Sequence, residues 1–258
     1  MKVLYIAGYG RSGSTVLEIA LSQGTKVVAM GEMVQVDKYG ADAVFCTCLR
    51  KVSGCESYRG MAVSSQNLFA SKIRFFISNL LQIMKTGRSH IPNSIRYVSE
   101  NWRDDIIVDS SKSTFYSVFR PYNYRSMGAD VYIFFNRRRT KGVLDSLLAG
   151  SNSDLKDGVS GKIKTYALFL PRLINFVIFG RVMELFYRAG FGDKVMRVDF
   201  DSFLSSPLSW LERMSNFCGE PLEESKVSAQ LNQFEVKHSV AGNRLRAGKC
   251  GHHIVLKD

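Results

Sequence analysis

The chain has 258 residues, of which 45% are hydrophobic, so it can bury the core of one domain and is not a disordered segment. Its formal charge of +12 indicates an anionic partner. It has no uninterrupted apolar stretch of about 18 residues and enters its first predicted strand without a signal peptide, which argues against stable membrane insertion and predicts a cytoplasmic protein.

The first predicted strand, about Lys2 to Ala7, leads into a loop rich in glycine and serine. The loop reads Gly8-Tyr9-Gly10-Arg11-Ser12-Gly13-Ser14-Thr15, and its last residues open a helix that is predicted to end near Gln23. This order of strand, loop and helix is typical of a phosphate-binding loop, in which backbone amides and the helix N-terminus face one anion.

The cations of this loop differ from those of an ATP-binding loop. Gly8 and Gly13 have the usual spacing, but Ser14 stands where the lysine is expected, and Arg11 lies within the loop instead. The loop therefore favours an anion other than ATP. The alternative is that the segment is a glycine-rich surface turn that binds no phosphate.

A short second strand over 26–30 is predicted to place Glu32 near its carboxyl end. Residues 37–62 then read as an irregular insertion that contains Cys46, Cys48 and Cys55. The sequence favours reduced thiols that pack this loop. A disulfide stays an alternative, as does a metal site completed by an outside ligand such as Cys250, His252 or His253.

The rest of the chain alternates predicted helices and strands. Helices are predicted over 65–85, 142–149, 160–189 and 208–217, and strands over 105–108, 129–135 and 194–198. Asp109-Ser110-Ser111-Lys112 follows the first of these strands, and Arg137-Arg138-Arg139 follows the second. The pattern predicts a single α/β domain over 1–258 with a mainly parallel sheet flanked by helices, and it places the motif loops at the carboxyl ends of strands, where ligands bind.

Four segments, in this order, resemble motifs of sulfotransferases that use PAPS (3′-phosphoadenosine 5′-phosphosulfate). The segment from Gly10 to Thr15 is similar to the loop that binds the 5′-phosphosulfate, and Asp109 to Lys112 resembles a motif of bacterial members. Arg138 and Ser146 match the arginine and serine that hold the 3′-phosphate, with Arg137 or Arg139 as alternatives for the arginine. A late basic loop that closes over the nucleotide is matched by Asn243, Arg244 and Arg246.

The resemblance implies a P-loop-like sulfotransferase fold and in-line transfer of a sulfuryl group from PAPS to a hydroxyl or amine, with PAP as product. Arg11 and Lys112 are predicted to stabilise the charge on the sulfuryl and leaving oxygens. Glu32 is predicted to be the base, because it resembles the glutamate that follows the first loop in tyrosylprotein and carbohydrate sulfotransferases, and because a carboxylate in a partly buried cleft suits proton abstraction. Asp109 is the alternative base, or it orients Lys112. No metal is required, since side chains supply the cations.

Several questions stay open from the sequence. The adenine stacks on Tyr9, Phe115, Trp102 or Trp210, and His238 is predicted to help order the late loop. The acceptor is a small molecule, a carbohydrate or a peptide, and a homodimer is left open. A nucleotide or small-molecule kinase, with Asp109 as the magnesium ligand, is the first alternative function. A basic RNA-binding module is the second, although RNA-binding signatures are missing and no nucleic-acid partner is expected.

Overall fold

Five strands form one sheet with parallel pairing throughout. The structure is a computed structural model that describes residues 1–58, 60–65, 72–86, 90–112, 117–143, 169–240 and 248–256, with the backbone alone at 72–75, 84 and 169–179. The strands are β1 (Lys2–Gly8), β2 (Val27–Gly31), β3 (Ile106–Asp109), β4 (Asp130–Arg137) and β5 (Val195–Asp199). Their spatial order is β2-β3-β1-β4-β5. The predicted α/β architecture with a mainly parallel sheet is confirmed.

The strands begin and end within a few residues of the predictions, and two of them extend further. β1 was predicted to end at Ala7 and β4 at Phe135, but the ladders continue to the pairs Gly8↔Asn136 and Arg137↔Asp199. Strand pairing therefore carries the chain to the first residues of both anion-binding candidates. A separate antiparallel pair, β6 (Phe234–Glu235) and β7 (His253–Ile254), was not predicted because each strand has two residues.

Helices cover the sheet. They are α1 (Ser14–Leu21), α2 (Val34–Tyr39), α3 (Lys72–Thr86), α4 (Asn93–Asn101), α5 (Arg120–Ser126), α6 (Phe169–Phe191), α7 (Phe200–Ser205), α8 (Pro207–Cys218) and α9 (Glu223–Leu231). The short helices α2, α4, α5, α7 and α9 were missed, because two turns give too few apolar repeats to reveal a period. The helix predicted over 142–149 begins earlier, with 140–143 helical, and 144–149 lie outside the described residues.

The sheet has a hydrophobic core on each face. Val3, Tyr5 and Ala7 of β1 belong to one buried cluster, while Leu4 and Ile6 belong to the other, as the alternation of side chains along a strand requires. A central strand that is buried on both faces reads as a continuous apolar run, which is why its position was predictable. Among the described residues, no helix combines the length and the apolar character needed to cross a bilayer.

The cysteine-containing insertion buries part of its chain in the core cluster that contains Val3, while residues such as Phe45 and Leu49 stay exposed. Residues 37–62 begin inside α2 and include two short 3-10 turns, Val52–Gly54 and Glu56–Tyr58. Cys46 and Cys55 are buried in the cluster that contains Val3. The insertion therefore has a fixed place beside the sheet.

Candidate active site

The loop after β1 depends on two glycines. Gly8 has φ +128°, and a Cβ there would lie 2.4 Å from the carbonyl oxygen of Asn136. Gly13 has φ +91°, and its Cβ would lie 2.3 Å from the ring of Phe200. A Cβ on Gly10 meets no described atom within 4 Å, so this side of the loop has room for a ligand. The loop thus packs tightly at both ends and is open in its middle.

The same loop holds polar groups that suit an anion. α1 begins directly after Gly13, so its N-terminus faces the loop. Arg11 has φ +72°, a backbone conformation that costs a residue other than glycine about 1–3 kcal/mol and is typical of functional sites. The buried Oγ of Ser12 has no hydrogen-bond partner among the described residues, while the Ser12 carbonyl accepts from Nδ2 of Asn136 at 2.9 Å.

Glu32 and Lys112 form an ion pair at the neighbouring strand ends. Glu32 directly follows β2, and Lys112 lies three residues beyond β3. Lys112 Nζ donates to Glu32 Oε1, and Gln35 Nε2 donates to Glu32 Oε2 at 3.3 Å. Both charged side chains keep some exposure, 16% for Lys112 and 11% for Glu32. The structure thus brings together the predicted base and a predicted charge-stabilising residue.

Hydrogen bonds from neighbouring side chains fix the backbone of Lys112. Its φ is +65°, and its carbonyl accepts hydrogen bonds from Tyr5 Oη and, at 2.9 Å, from Ser117 Oγ. Burial raises the pKa of Tyr5 well above its usual value, so the hydroxyl stays protonated and can donate. A residue of the central strand therefore positions the lysine.

Asp109, the alternative base, has a different environment. It is fully buried, and its Oδ2 accepts from Arg120 Nε at 3.0 Å and from Tyr124 Oη at 2.9 Å. Its Oδ1 accepts from the Ser111 amide at 2.8 Å. Arg120 also contacts Asp37 at 2.6 Å. These contacts engage both carboxylate oxygens inside the core.

Arginines surround a cavity of about 310 Å³ after β4. This volume lies at the lower end of the range of small-molecule pockets, about 300–1,000 Å³. Tyr9 of the first loop also lines it, so the cavity joins the ends of β1 and β4. The arginines that line it are Arg137, Arg138, Arg139, Arg181 and Arg197. Such a concentration of positive charge suits a phosphate.

Arg138 is well placed for an anion in this cavity. Its Nε is buried without a hydrogen-bond partner among the described residues, and its ion-pair contact with Asp201 is long, at 3.9 Å. The guanidinium lies over the ring of Phe200, 5.3 Å from its centroid. A Cβ on Gly142 would lie 2.6 Å from Arg138 Nε, so that glycine leaves room for the side chain.

Glu184 of α6 orients other arginines of the cavity, which sequence reasoning did not identify. It is 3% exposed and contacts Arg197 Nη2 at 2.8 Å, Arg188 Nε at 3.2 Å and Arg137 Nη1 at 3.8 Å. Both Arg137 and Arg138 have one long ion-pair contact, and what favours Arg138 for a ligand is its buried Nε, which has no hydrogen-bond partner among the described residues. A lone carboxylate in an otherwise apolar segment was the available signal.

The chain that leads into the predicted late basic loop passes beside Glu32. Val240 bridges to Gly31, its carbonyl accepts from the Glu32 amide at 3.4 Å, and a Cβ on Gly31 would lie 2.4 Å from that carbonyl oxygen. The chain therefore passes against the end of β2 just before residue 241. Four predicted nucleotide contacts lie outside the described residues, namely Ser146, Asn243, Arg244 and Arg246. Phe115, a candidate for stacking on the adenine, also lies outside them.

Solved structures of sulfotransferases have a similar fold. The sulfotransferase domain from the curacin biosynthetic pathway has a TM-score of 0.50 and 12% identity, over 98% of this chain and 83% of that chain. The sulfotransferase domain of the Synechococcus PCC 7002 olefin synthase has a TM-score of 0.49 and 15% identity, over 88% and 76%. Sulfotransferase STF9 from Mycobacterium avium has a TM-score of 0.42 and 13% identity, over 89% and 67%.

No protein-family model matches the chain, and no curated protein matches it at a significant level. The likeness to the curacin-pathway domain concerns the arrangement of strands and helices across almost the whole chain. Together with the parallel sheet and the loops at its carboxyl edge, it identifies the fold of this chain as that of a sulfotransferase domain.

Proposed function

We propose that the chain is a single-domain, cytoplasmic sulfotransferase that transfers a sulfuryl group from PAPS to a hydroxyl or amine. The observation that carries the proposal is the Lys112–Glu32 ion pair, which stands at the same sheet edge as the open glycine loop and the arginine cavity. The loop after the central strand β1 lies between these two charged centres in the strand order. This arrangement offers a cationic site for each end of one nucleotide and a carboxylate beside the transferred group.

The proposed binding mode follows from the positions of the cations. The 5′-phosphosulfate binds the segment from Gly10 to Thr15, where the helix N-terminus and Arg11 attract it. The 3′-phosphate enters the arginine cavity and binds Arg138, with Ser146 and the late basic residues Asn243, Arg244 and Arg246 completing the site. Tyr9 stacks on the adenine, because it lines that cavity, whereas Trp102 is buried in the core and Trp210 is covered by Arg213 at 4.2 Å.

The chemical step uses the ion pair directly. When the nucleotide binds, its oxygens attract the Lys112 ammonium, and Glu32 becomes available to the acceptor. Glu32 takes the proton of the acceptor hydroxyl or amine, whose lone pair attacks sulfur. The bond between sulfur and the bridging phosphate oxygen breaks, and PAP leaves with that electron pair while Lys112 and Arg11 stabilise the negative charge. No metal takes part in this scheme.

The kinase alternative is less well supported. Ser14 replaces the lysine that a kinase loop needs, and the carboxylate oxygens of Asp109 are engaged by Arg120, Tyr124 and the Ser111 amide, so they are not offered to magnesium. RNA binding is also disfavoured, since the arginines described above line a cavity and not an extended face. The acceptor is a small molecule, a carbohydrate or a peptide.

Calorimetry with PAP, with and without magnesium, tests the nucleotide site, and labelled PAPS with a panel of phenols, sugars, amines and tyrosine peptides tests transfer. Glu32→Gln is expected to keep PAP affinity within about twofold and to lower turnover by about 10²–10⁴-fold, the usual contribution of a general base. Glu56→Gln is the matched control, because Glu56 is 93% exposed at its side chain and lies outside the site. Absence of PAP binding would contradict the proposal, and intact turnover in Glu32→Gln would remove Glu32 as the base.

A further inference from the structure

Four side chains with metal-binding atoms meet outside the proposed active site. They are Cys46, Cys48 and Cys55 of the insertion and His238, which follows β6, and no two of their ligand atoms are more than 4.8 Å apart. The sulfurs of Cys48 and Cys55 are 3.8 Å apart. Nδ1 of His238 lies 3.5 Å from the Cys46 sulfur and 3.3 Å from the Cys55 sulfur.

The Cys48–Cys55 separation and the two separations from His238 fit one tetrahedral ion. Zinc binds thiolate at about 2.3 Å and imidazole nitrogen at about 2.0–2.1 Å, so a regular tetrahedron places two sulfurs about 3.8 Å apart and a sulfur about 3.5 Å from the nitrogen. A disulfide needs a sulfur separation of about 2.05 Å, much shorter than that of Cys48 and Cys55. We propose that Cys46, Cys48, Cys55 and His238 bind a structural Zn²⁺ ion.

The local backbone fixes the positions of the three cysteines. Cys46 and Cys48 lie in a sharp turn, in which the Leu49 amide donates to the Cys46 carbonyl at 2.9 Å and Leu49 has φ +68°. The Cys46 amide donates to the Arg50 carbonyl at 2.8 Å, which closes this turn. The Cys55 amide donates to the Val52 carbonyl at 3.2 Å at the end of the next 3-10 turn. Two consecutive turns therefore hold the three thiols close together.

The site is closed on one side and accessible on the other. Cys46 and Cys55 are buried, while Cys48 and His238 are partly exposed and line a cavity of about 370 Å³ together with Cys55. An ion can enter from this cavity and then lose its water to the four protein ligands, as a structural zinc site requires. The sequence offered Cys250, His252 or His253 as the outside ligand of the alternative metal site, and none of them is part of the four-residue group.

The ion would join two distant parts of the chain beside Glu32. His238 lies 183 residues after Cys55. The Thr47 hydroxyl binds the two residues that flank His238: it accepts from the Ser239 amide at 3.2 Å and donates to the Lys237 carbonyl at 2.9 Å. Val240 follows, between Gly31 and Cys46. Zinc would thus fix the start of the late basic loop. This last consequence depends on the proposed function, whereas zinc binding does not.

The test measures metal in the untagged full chain, grown with zinc and purified without chelators. Elemental analysis is expected to give about one zinc per chain, and X-ray absorption three sulfurs and one nitrogen at the distances above. Cobalt(II) added to the metal-free protein should give the visible bands of a tetrahedral thiolate site. Because no nucleotide is involved, this result is independent of whether PAP binds.

Variants make the test specific. Cys48→Ser and His238→Ala are expected to lower zinc content at least about fivefold after dialysis against a chelator, whereas His238→Cys, which offers a fourth thiolate, should retain it. Cys218→Ser is the control, because Cys218 is buried in the other core cluster. If Cys48→Ser does not fold, the cobalt spectrum of the wild type and of His238→Cys still decides the matter. Two results would overturn the proposal. One is protein that is purified without metal and in which Cys46, Cys48 and Cys55 react as free thiols. The other is a mass lower by two hydrogens, which shows a Cys48–Cys55 disulfide.

Discussion

Two ion-pair centres lie at the end of β3, where Asp109 is its last residue and Lys112 follows three residues later, and they differ in burial and in their partners. Arg120 lies between Asp109 and Asp37, and all three side chains are 0–1% exposed. Among the described residues, Lys112 forms an ion pair with one carboxylate, that of Glu32, and both side chains stay partly exposed. Charged residues from one short motif therefore have different environments, which differ in burial and in the number of ion-pair partners.

The electrostatics of the buried centre make it structural. Burial by itself would lower the pKa of Arg120, but the nearby carboxylate of Asp109, together with Tyr124 and Asp37, raises it above its ordinary value, so the arginine stays charged. A carboxylate that satisfies such a charge cannot leave it without a large penalty. Lys112 can exchange its partner at lower cost, because both side chains of its ion pair are partly exposed to solvent.

The largest expected effect comes from breaking the buried centre. Asp109→Asn should lower the free energy of unfolding by about 3–5 kcal/mol, since it leaves Arg120 without full compensation inside the core. Urea denaturation measures this loss. Asp130→Asn is the matched control, because Asp130 forms an exposed ion pair with Lys194, and such pairs contribute about 0–1 kcal/mol. A stable but inactive Asp109→Asn would instead make Asp109 part of the chemistry and end the distinction between the two centres.

The next effect concerns the accessible centre. Lys112→Met should lower turnover about 10²–10³-fold, the usual loss when one group that stabilises transition-state charge is removed. Its loss of stability should be smaller than that of Asp109→Asn. Steady-state kinetics and the same urea experiment measure both quantities, with Lys194→Met as control. If Lys112→Met unfolds the protein as strongly as Asp109→Asn does, the two centres are equivalent structural pairs.

The smallest effect should come from the aromatic wall of the arginine cavity. Tyr9→Leu should weaken PAP binding about tenfold, since stacking of a base on an aromatic ring contributes about 1–3 kcal/mol. Calorimetry measures the dissociation constant, and Tyr39→Leu is the control, because Tyr39 is 52% exposed on α2. An unchanged affinity would mean that the adenine binds elsewhere than beside the arginines.

The sequence by itself determined what depends on local patterns. The apolar run of β1, the glycines after it and the helix start at Ser14 are encoded within a few residues, so the loop was recognisable and the parallel sheet followed from strands separated by helices. Ser14 in place of lysine also argued against ATP as the anion bound by this loop. Ser146, Asn243, Arg244 and Arg246 stay predictions of the same kind.

Only the tertiary structure decided which residues act together across long separations. The motif alone does not show that Asp109 is buried and Lys112 is partly exposed. That difference depends on their partners Arg120 and Glu32, which the fold brings to them. In the same way, Glu184 reaches Arg197 across the boundary of α6 and β5, and His238 reaches Cys55 over 183 residues. Local propensity sets the strand, loop and helix, whereas burial and partner number arise only once distant segments pack, and they decide which charges are structural and which can react.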